Sequence, residues 1–360
     1  MPAPAPSHPE TLTWTGGLDG HVRMIEQTLL PTRHELLEVR GVPEMVDAIR
    51  RLAVRGAPAI GVAAGYGVVL GAAGAARAGA DVAQATGEAI DALWVSRPTA
   101  VNLFWALDRM RAACAAAVAE GLGGQSLAER LLEEALAIHA SDRETCRLIG
   151  EHGAGLLEDG TCILTHCNAG ALATGGMGTA LAPVYTAHAQ GKRVSVYADE
   201  TRPLLQGARI TCWELQQAGV PVTLITDGMA ARVMSEGRVQ AVIVGSDRIT
   251  RGGDVCNKIG TFQVALAARH HGVPFHVAAP LSTVDTELIE GRDIPIEERA
   301  PEEITCGLGR QTAPEGVQVY NPAFDVTPRD LVTSIITEVG VVHAPSLERM
   351  EEALQRGGRM

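Results

Sequence analysis

Aromatic side chains are scarce: Trp, Tyr and Phe number four each and make up 3% of the 360 residues. Few platforms are left on which nucleobases could stack, and the core must be assembled mainly from Ala, Val, Leu and Ile. Positive charge is also short, with 30 Lys and Arg against 42 Asp and Glu for a formal net charge of -12. That balance argues against an extended nucleic-acid or anionic-membrane surface, because neutralising many phosphates takes an excess of cations. A few basic residues can still hold one small phosphate. Paired cysteines are missing too. The seven thiols are scattered with no CxxC pair, so neither a zinc motif nor a dithiol redox motif is written in the chain, and reduced thiols in the cytoplasm fit best. The opening Met1-Pro-Ala-Pro-Ala-Pro-Ser-His8 has neither the basic nor the apolar region of a signal peptide, and the Pro-rich start is expected to be disordered.

One long uncharged run exists, Ala59 to Ala76. Its length prompts a membrane-span reading, but Ala and Gly dominate it and Leu, Ile and Phe are few. The expectation is a buried helix whose small residues let another backbone approach, and no membrane partner. Hydrophobic residues at 46% and charged residues at 20% describe a globular chain. Its length exceeds one ordinary core and suits two domains.

The pattern along the chain divides near residue 150. Thr11 to Glu38 alternates enough for short strands. After Val42-Pro43 the periodicity turns helical, with Met45, Ile49 and Leu52 on one face, and Ala-rich helical stretches continue to about Glu151. From Gly160 onward, strand-like runs at Cys162–His166, Val194–Ala198, Val222–Thr226, Ala241–Gly245 and Phe275–Ala279 alternate with helical stretches. Each run is nearly all apolar, as when helices cover both sheet faces. The expected fold is therefore α/β: a mainly helical N-terminal domain, 1–150, and a Rossmann-like, doubly wound parallel-sheet domain, 151–360. Thr327-Pro328-Arg-Asp330 reads as the cap and first turn of a last helix, and the charged tail after Pro345 reads as frayed.

The most informative stretch is Thr161 to Ala180, a buried strand that delivers a cysteine to its carboxyl end and runs into a glycine-rich turn. Ligands bind at that edge of an open parallel sheet, where following helix N-termini aim N–H groups into the crevice. His166-Cys167-Asn168, Asp199-Glu-Thr-Arg-Pro203 and Ser246-Asp247-Arg248 all leave strands there, so they can converge. Taken alone, Asp247 reads equally well as a functional carboxylate or as a cap or loop ion pair, and Cys167 reads more readily as a small core residue. Cys114, Cys146, Cys162 and Cys212 take that second reading. His166 reads as a histidine satisfied by neighbours, since no ligand partner stands at metal spacing in the sequence. The spacing of Gly175-Gly-Met-Gly178 is wrong for a dinucleotide fingerprint, and a P-loop and an HExxH motif are absent. Anion seats are suggested by Val54-Arg-Gly-Ala-Pro-Ala-Ile-Gly61, Ser96-Arg97-Pro98-Thr99 and Asn257-Lys258-Ile-Gly260. Each is weak singly; together they sketch an anion-clamping site between two domains.

With these motifs in order, the chain resembles the S-methyl-5-thioribose-1-phosphate isomerases, aldose–ketose isomerases of methionine salvage, from about Trp14 to His343. The resemblance rests on Val54–Gly61, Ser96–Asn102, His166–Thr174, Asp199–Arg209, Gly245–Ile249, Asn257–Gly260 and Asn321–Val326, and departs at Thr250-Arg251, Cys256 and Leu281. It implies that Cys167 and Asp247 are the catalytic pair and that Arg55, Gly56, Ala57, Arg97, Gln206, Asn257 and Lys258 bind a sugar phosphate. It also implies a homodimer and no metal or other cofactor. Ribose 1,5-bisphosphate and 5-deoxyribose 1-phosphate are alternative substrates within the same resemblance. A non-catalytic sugar-phosphate-binding regulatory protein, like the subunits of a translation-initiation exchange factor, is the alternative of another class.

Overall fold

The computed structural model describes residues 8–97 and 101–359. Pro98-Thr-Ala100 of the Ser96–Asn102 motif and all but His8 of the opening eight residues lie outside them. The chain divides into two compact units, one made of Pro9–Arg147 with Ala171–Gly178, the other chiefly of Leu148–Gly170 with the chain from Thr179 onward.

The first unit opens with an antiparallel meander, β1 (Leu12–Thr15), β2 (His21–Ile25) and β3 (Leu36–Val39), followed by α1 (Val42–Arg50), α2 (Ala57–Ala78), α3 (Val82–Trp94), α4 (Val101–Ala119) and, as far as Arg147, α5 (Gly124–Ala154). The core is the apolar face of these helices: Met45, Ile49, Leu93, Leu103, Leu107, Met110, Leu131 and Ile138 all have 0–1% exposure. α1 stops at Arg50, so Leu52 falls beyond it in a left-handed conformation. α2 is the one helix among the described residues long and apolar enough to cross a membrane, and 78% of that stretch is buried within the fold. Its small residues serve close packing: a Cβ on Gly61 would stand 2.8 Å from the carbonyl oxygen of Asn102 on α4.

The second unit is built on a seven-stranded sheet. Its strands are β4 (Cys162–Thr165), β5 (Ser195–Asp199), β6 (Val222–Ile225), β7 (Ala241–Val244), β10 (Phe275–Ala278), β13 (Ser334–Thr337) and β14 (Gly340–His343), in the order β14-β13-β10-β7-β4-β5-β6. All neighbours pair in parallel except β13 with β14. Helices α6 (Ala182–Ala189), α7 (Cys212–Gln217), α8 (Ala230–Ser235) and α9 (Thr261–His271) intervene, and a four-stranded sheet joins β8 (Arg248–Thr250), β9 (Val255–Lys258), β11 (Val284–Asp285) and β12 (Phe324–Thr327). Val242, Val244, Val277 and Ile335 are fully buried, which explains why these strands read as continuous apolar runs rather than alternating ones.

Two expectations fail at the C-terminal end. Thr327-Pro-Arg-Asp330 opens only a single 3₁₀ turn, Arg329–Leu331, because the β-branched run that follows is consumed by β13, whose residues are all buried. The tail is not frayed. Ser346 caps a helix Leu347–Arg356 by accepting the Arg349 N–H, and Met350, Ala353 and Leu354 are fully buried at helical spacing.

Candidate active site

The strand order sets the location. The chain moves outward from β4 to β5 and β6, then returns to place β7 on the other side of β4. The carboxyl ends of β4 and β7 therefore flank the point where the winding reverses, the position at which open α/β sheets bind ligands. β4 runs into His166-Cys167-Asn168, and β7 into Gly245-Ser246-Asp247.

Cys167 is held in an unusual backbone conformation, φ 67°. A left-handed non-glycine residue costs of order 1–3 kcal/mol and persists only where its surroundings fix it. Here both flanking peptide groups are fixed by threonine hydroxyls. The Cys167 N–H donates to Thr201 Oγ1 at 2.8 Å, and Thr211 Oγ1 donates to the Cys167 carbonyl at 2.7 Å. Thr211 lies in a π-helical turn, Gly207–Thr211, that continues into α7. That turn needs a glycine at its start, since a Cβ on Gly207 would lie 1.7 Å from the Asp199 carbonyl oxygen. The Cys167 side chain is nearly enclosed, the residue being 7% exposed. Asn168, next along, donates to Glu214 and to Thr211 Oγ1, and both acceptors are fully buried.

Beneath this turn sits a buried ion pair. His166 Nε2 meets the Ile259 carbonyl at 2.9 Å and Nδ1 meets Asp199 Oδ2 at 2.9 Å. A carbonyl can only accept, so Nε2 carries a proton, and the Nδ1–Asp199 contact then shares one more. Burial opposes charge on His166, but the hydrogen bond and charge of Asp199, with the charge of Asp227, outweigh it and raise its pKa. Burial likewise pushes Asp199 up to about 6, against the opposing pull of His166. His166, Asp199 and Asp227 bring their donor atoms within 4.8 Å of one another, the one potential metal-ligating cluster among the described residues. Its atoms are already engaged: both histidine nitrogens as above, and the Asp227 oxygens by the Thr201 and Arg202 N–H groups. Only Asp199 Oδ1 is buried without a partner. Sequence spacing gave no sign of this cluster because three separate strand ends supply it.

Asp247 is half-buried, and its N–H donates to the Cys256 carbonyl at 3.0 Å, which ties the end of β7 to β9. Burial, followed by the charge of Asp247, pushes the Cys256 thiol up to about 12, so Cys256 stays neutral. Asn257 follows on β9, buried, with Nδ2 donating to Thr261 Oγ1 at 2.9 Å. Lys258 donates to the Ala323 carbonyl at 2.9 Å and lies 4.4 Å from the centre of the Phe324 ring. Gln206, just before the π turn, is buried with Oε1 unpartnered. A buried polar atom without a partner is costly, and a ligand hydroxyl would satisfy it.

The other candidates belong to the helical unit. Gly56 caps α2 with φ 89°, and its Cβ would lie 2.4 Å from Ala173 Cα, so both conformation and space demand glycine. Arg55 and Ala57 flank it, half-buried, and Ala57-Pro58 opens α2. Arg97 is half-buried after α3. The glycine-rich segment after Cys167 is pinned within this unit by α5. Asp142 Oδ2 accepts the Gly175 N–H at 2.6 Å, and His139 Nε2 donates to the Gly175 carbonyl at 2.9 Å. His139 Nδ1 must then accept from Tyr66 Oη, 2.7 Å away. Burial lowers the His139 pKa and keeps the ring neutral, as that chain of donors requires.

Comparison with known proteins fits this geometry. A profile of the Initiation factor 2 subunit family matches residues 53–344. A 5-deoxyribose 1-phosphate isomerase of Moorella thermoacetica is 58% identical over 93% of this chain and 95% of its own. A methylthioribose-1-phosphate isomerase of Rhodopirellula baltica is 53% identical over 94% of this chain and 96% of its own. Among solved structures, the 5-methylthioribose 1-phosphate isomerase of Pyrococcus horikoshii superposes with a TM-score of 0.89 at 43% identity, covering 96% of each chain. One from A. fulgidus, named as the delta subunit of translation initiation factor eIF-2B, gives 0.84 at 46% identity, covering 95% of this chain and 99% of its own. The chain belongs to the Initiation factor 2 subunit family, and it is an isomerase of that family.

Proposed function

We propose that the chain converts S-methyl-5-thio-α-D-ribose 1-phosphate to S-methyl-5-thio-D-ribulose 1-phosphate, a reading supported by relatives named methylthioribose-1-phosphate isomerase. The observation that carries the reading is the arrival of a thiol, Cys167, and a carboxyl, Asp247, at the carboxyl ends of the strands that flank the sheet's switch point.

The phosphate on the anomeric oxygen of such a substrate prevents spontaneous opening to an aldehyde. Asp247 protonates the ring oxygen as the C1–O bond breaks. Cys167, as thiolate, removes the proton from C2 and returns it at C1 of the resulting enol phosphate, while the C2 hydroxyl gives its proton back to the Asp247 carboxylate as the C2 ketone forms. Atoms balance, since one hydrogen moves from C2 to C1 and the proton that Asp247 gives to the ring oxygen is replaced by the one it takes from the C2 hydroxyl. Arg55 and Arg97 hold phosphate through charge-assisted contacts. Gln206, Asn257 and Lys258 hold the sugar oxygens, and Gly56-Ala57 offers backbone N–H groups at the start of α2.

A second substrate is favoured by one observation: the Moorella relative at 58% identity is named for 5-deoxyribose 1-phosphate. Parallel kcat/KM measurements on the two sugar 1-phosphates test the proposal. A clear preference for the methylthio sugar supports it, a preference for the deoxy sugar reassigns the substrate, and binding of both without conversion points to a regulatory binding protein.

A further inference from the structure

The catalytic reading leaves Asp227 and Thr201 without a task, although they form an ordered chain ending on Cys167. We propose that Asp227 and Thr201 are positioning residues that hold the Cys167 backbone in the turn from which its thiol works. This inference rests on Cys167 being the catalytic thiol.

The chain of contacts starts just after β6. Asp227 takes two consecutive N–H groups with its two carboxylate oxygens, Thr201 N–H on Oδ1 at 2.7 Å and Arg202 N–H on Oδ2 at 2.8 Å. Thr201 is thereby kept at φ 63°, a conformation that a β-branched residue seldom adopts. Its hydroxyl has one proton, which goes to the Asp199 carbonyl at 3.1 Å, leaving a lone pair directed at the Cys167 N–H, 2.8 Å away. Thr201 is fully buried, so no water replaces it. On the far side the order repeats: Asn168 Nδ2 donates to Thr211 Oγ1 at 3.2 Å, and that hydroxyl spends its proton on the Cys167 carbonyl. Two left-handed, non-glycine residues in sequence-distant loops, joined by one hydrogen bond, are each costly, and such strain clusters where geometry serves function.

The decisive variant is Thr201→Gly. Glycine relieves the left-handed strain while deleting the hydroxyl, so a purely structural Thr201 would be replaced without loss of rate. The expected result is a folded protein whose thermal midpoint is at or modestly below that of the parent, because relief of strain is offset by the unpaired Cys167 N–H, with kcat down at least tenfold and KM within about threefold. Thr201→Ser, which keeps the hydroxyl, should restore most of the rate. Asp227→Asn keeps one acceptor oxygen and should lie between them.

Turnover alone would tie the outcome to the substrate, so the same variants are treated with iodoacetamide and alkylation of Cys167 is followed by peptide mass mapping, which separates it from the exposed Cys306. The Cys167 rate should change at least severalfold in Thr201→Gly and return in Thr201→Ser. Parent-like kcat and parent-like Cys167 alkylation in folded Thr201→Gly overturn the proposal. If the parent itself converts no pentose 1-phosphate, the isomerase reading fails, while the alkylation rates still decide whether Thr201 sets the thiol.

Discussion

The two units of this chain spend their polar groups differently. In the helical unit, buried polar residues brace the fold: Tyr66 and His139 form a donor chain to the Gly175 carbonyl, and the surrounding core is Ala, Val, Leu, Ile and Met. At the carboxyl edge of the seven-stranded sheet, several groups are strained or incompletely satisfied around the candidate thiol. Cys167 and Thr201 are left-handed, and Gln206 Oε1 and Asp199 Oδ1 have no partner. Strained residues cluster at sites that do chemistry when their surroundings fix them. Substitutions at the sheet edge should therefore change rate more than stability, and those in the helical core the reverse.

The sharpest application is Asp247→Asn, which keeps shape and hydrogen bonding but removes the titrating proton. A fall in kcat of about a hundredfold or more is expected, the scale of a positioned acid, with little change in thermal midpoint. A parent-like kcat with a lowered midpoint would move Asp247 to the structural side of the comparison.

The sheet unit also contains a buried group that should act on stability alone. Burial, then the charge of His343, lowers the His276 pKa to about 4, and its Nδ1 meets Ser334 Oγ at 2.8 Å. The folded pKa is depressed below the unfolded one, so below pH 6.5 the unfolded chain takes up a proton that the folded chain refuses. Stability is lost as pH falls from 6.5 toward 4, by roughly 1.5 kcal/mol between pH 6.5 and 5. Urea titrations of the parent and of His276→Asn across that range should differ in slope by this amount; equal slopes would remove His276 from the account.

Arg97 is where the comparison is most open to breaking, since it belongs to the helical unit yet is proposed to bind phosphate. Arg97→Ala should raise KM by about tenfold, about 1.4 kcal/mol, and weaken inhibition by inorganic phosphate while leaving the thermal midpoint unmoved. Unchanged KM and unchanged inhibition would place it outside the site.

The smallest effect expected is that of Tyr66→Phe. It removes the donor to His139 Nδ1 and leaves a buried acceptor unpaired, a loss of about 1 kcal/mol in chemical unfolding with unchanged kcat. A larger effect on kcat than on stability would contradict the division between the units.

Much of the fold could be read from the sequence because its signals are local. Each of the five strand-like runs became a strand within a residue of its expected ends, since a strand inside a helix-covered sheet is a short, mostly apolar run. The run of small residues in α2 likewise announced a close-packed helix. Where the reading failed, a genuine local signal lost to a tertiary demand. Thr327-Pro-Arg-Asp330 has a helix-start pattern, but the sheet needed Ser334–Thr337 as a strand, and the charged tail hid Met350, Ala353 and Leu354, the inner face of a helix. At the site, chain order marked the polar strand ends, but not the strand order that makes β4 and β7 neighbours. The links from Asp227 to Thr201 and from Thr201 to Cys167 cross 26 and 34 residues, and no spacing rule reaches that far.

The central claim is that the strained thiol at the end of β4 performs the isomerisation. Its most direct test is Cys167→Ala, with calorimetric titration of S-methyl-5-thioribose 1-phosphate and, on the same samples, conversion to the ketose followed by NMR. The account predicts binding within about tenfold of the parent, on the order of 1.4 kcal/mol, and no ketose. Ketose formation by Cys167→Ala at the parent's rate would contradict it.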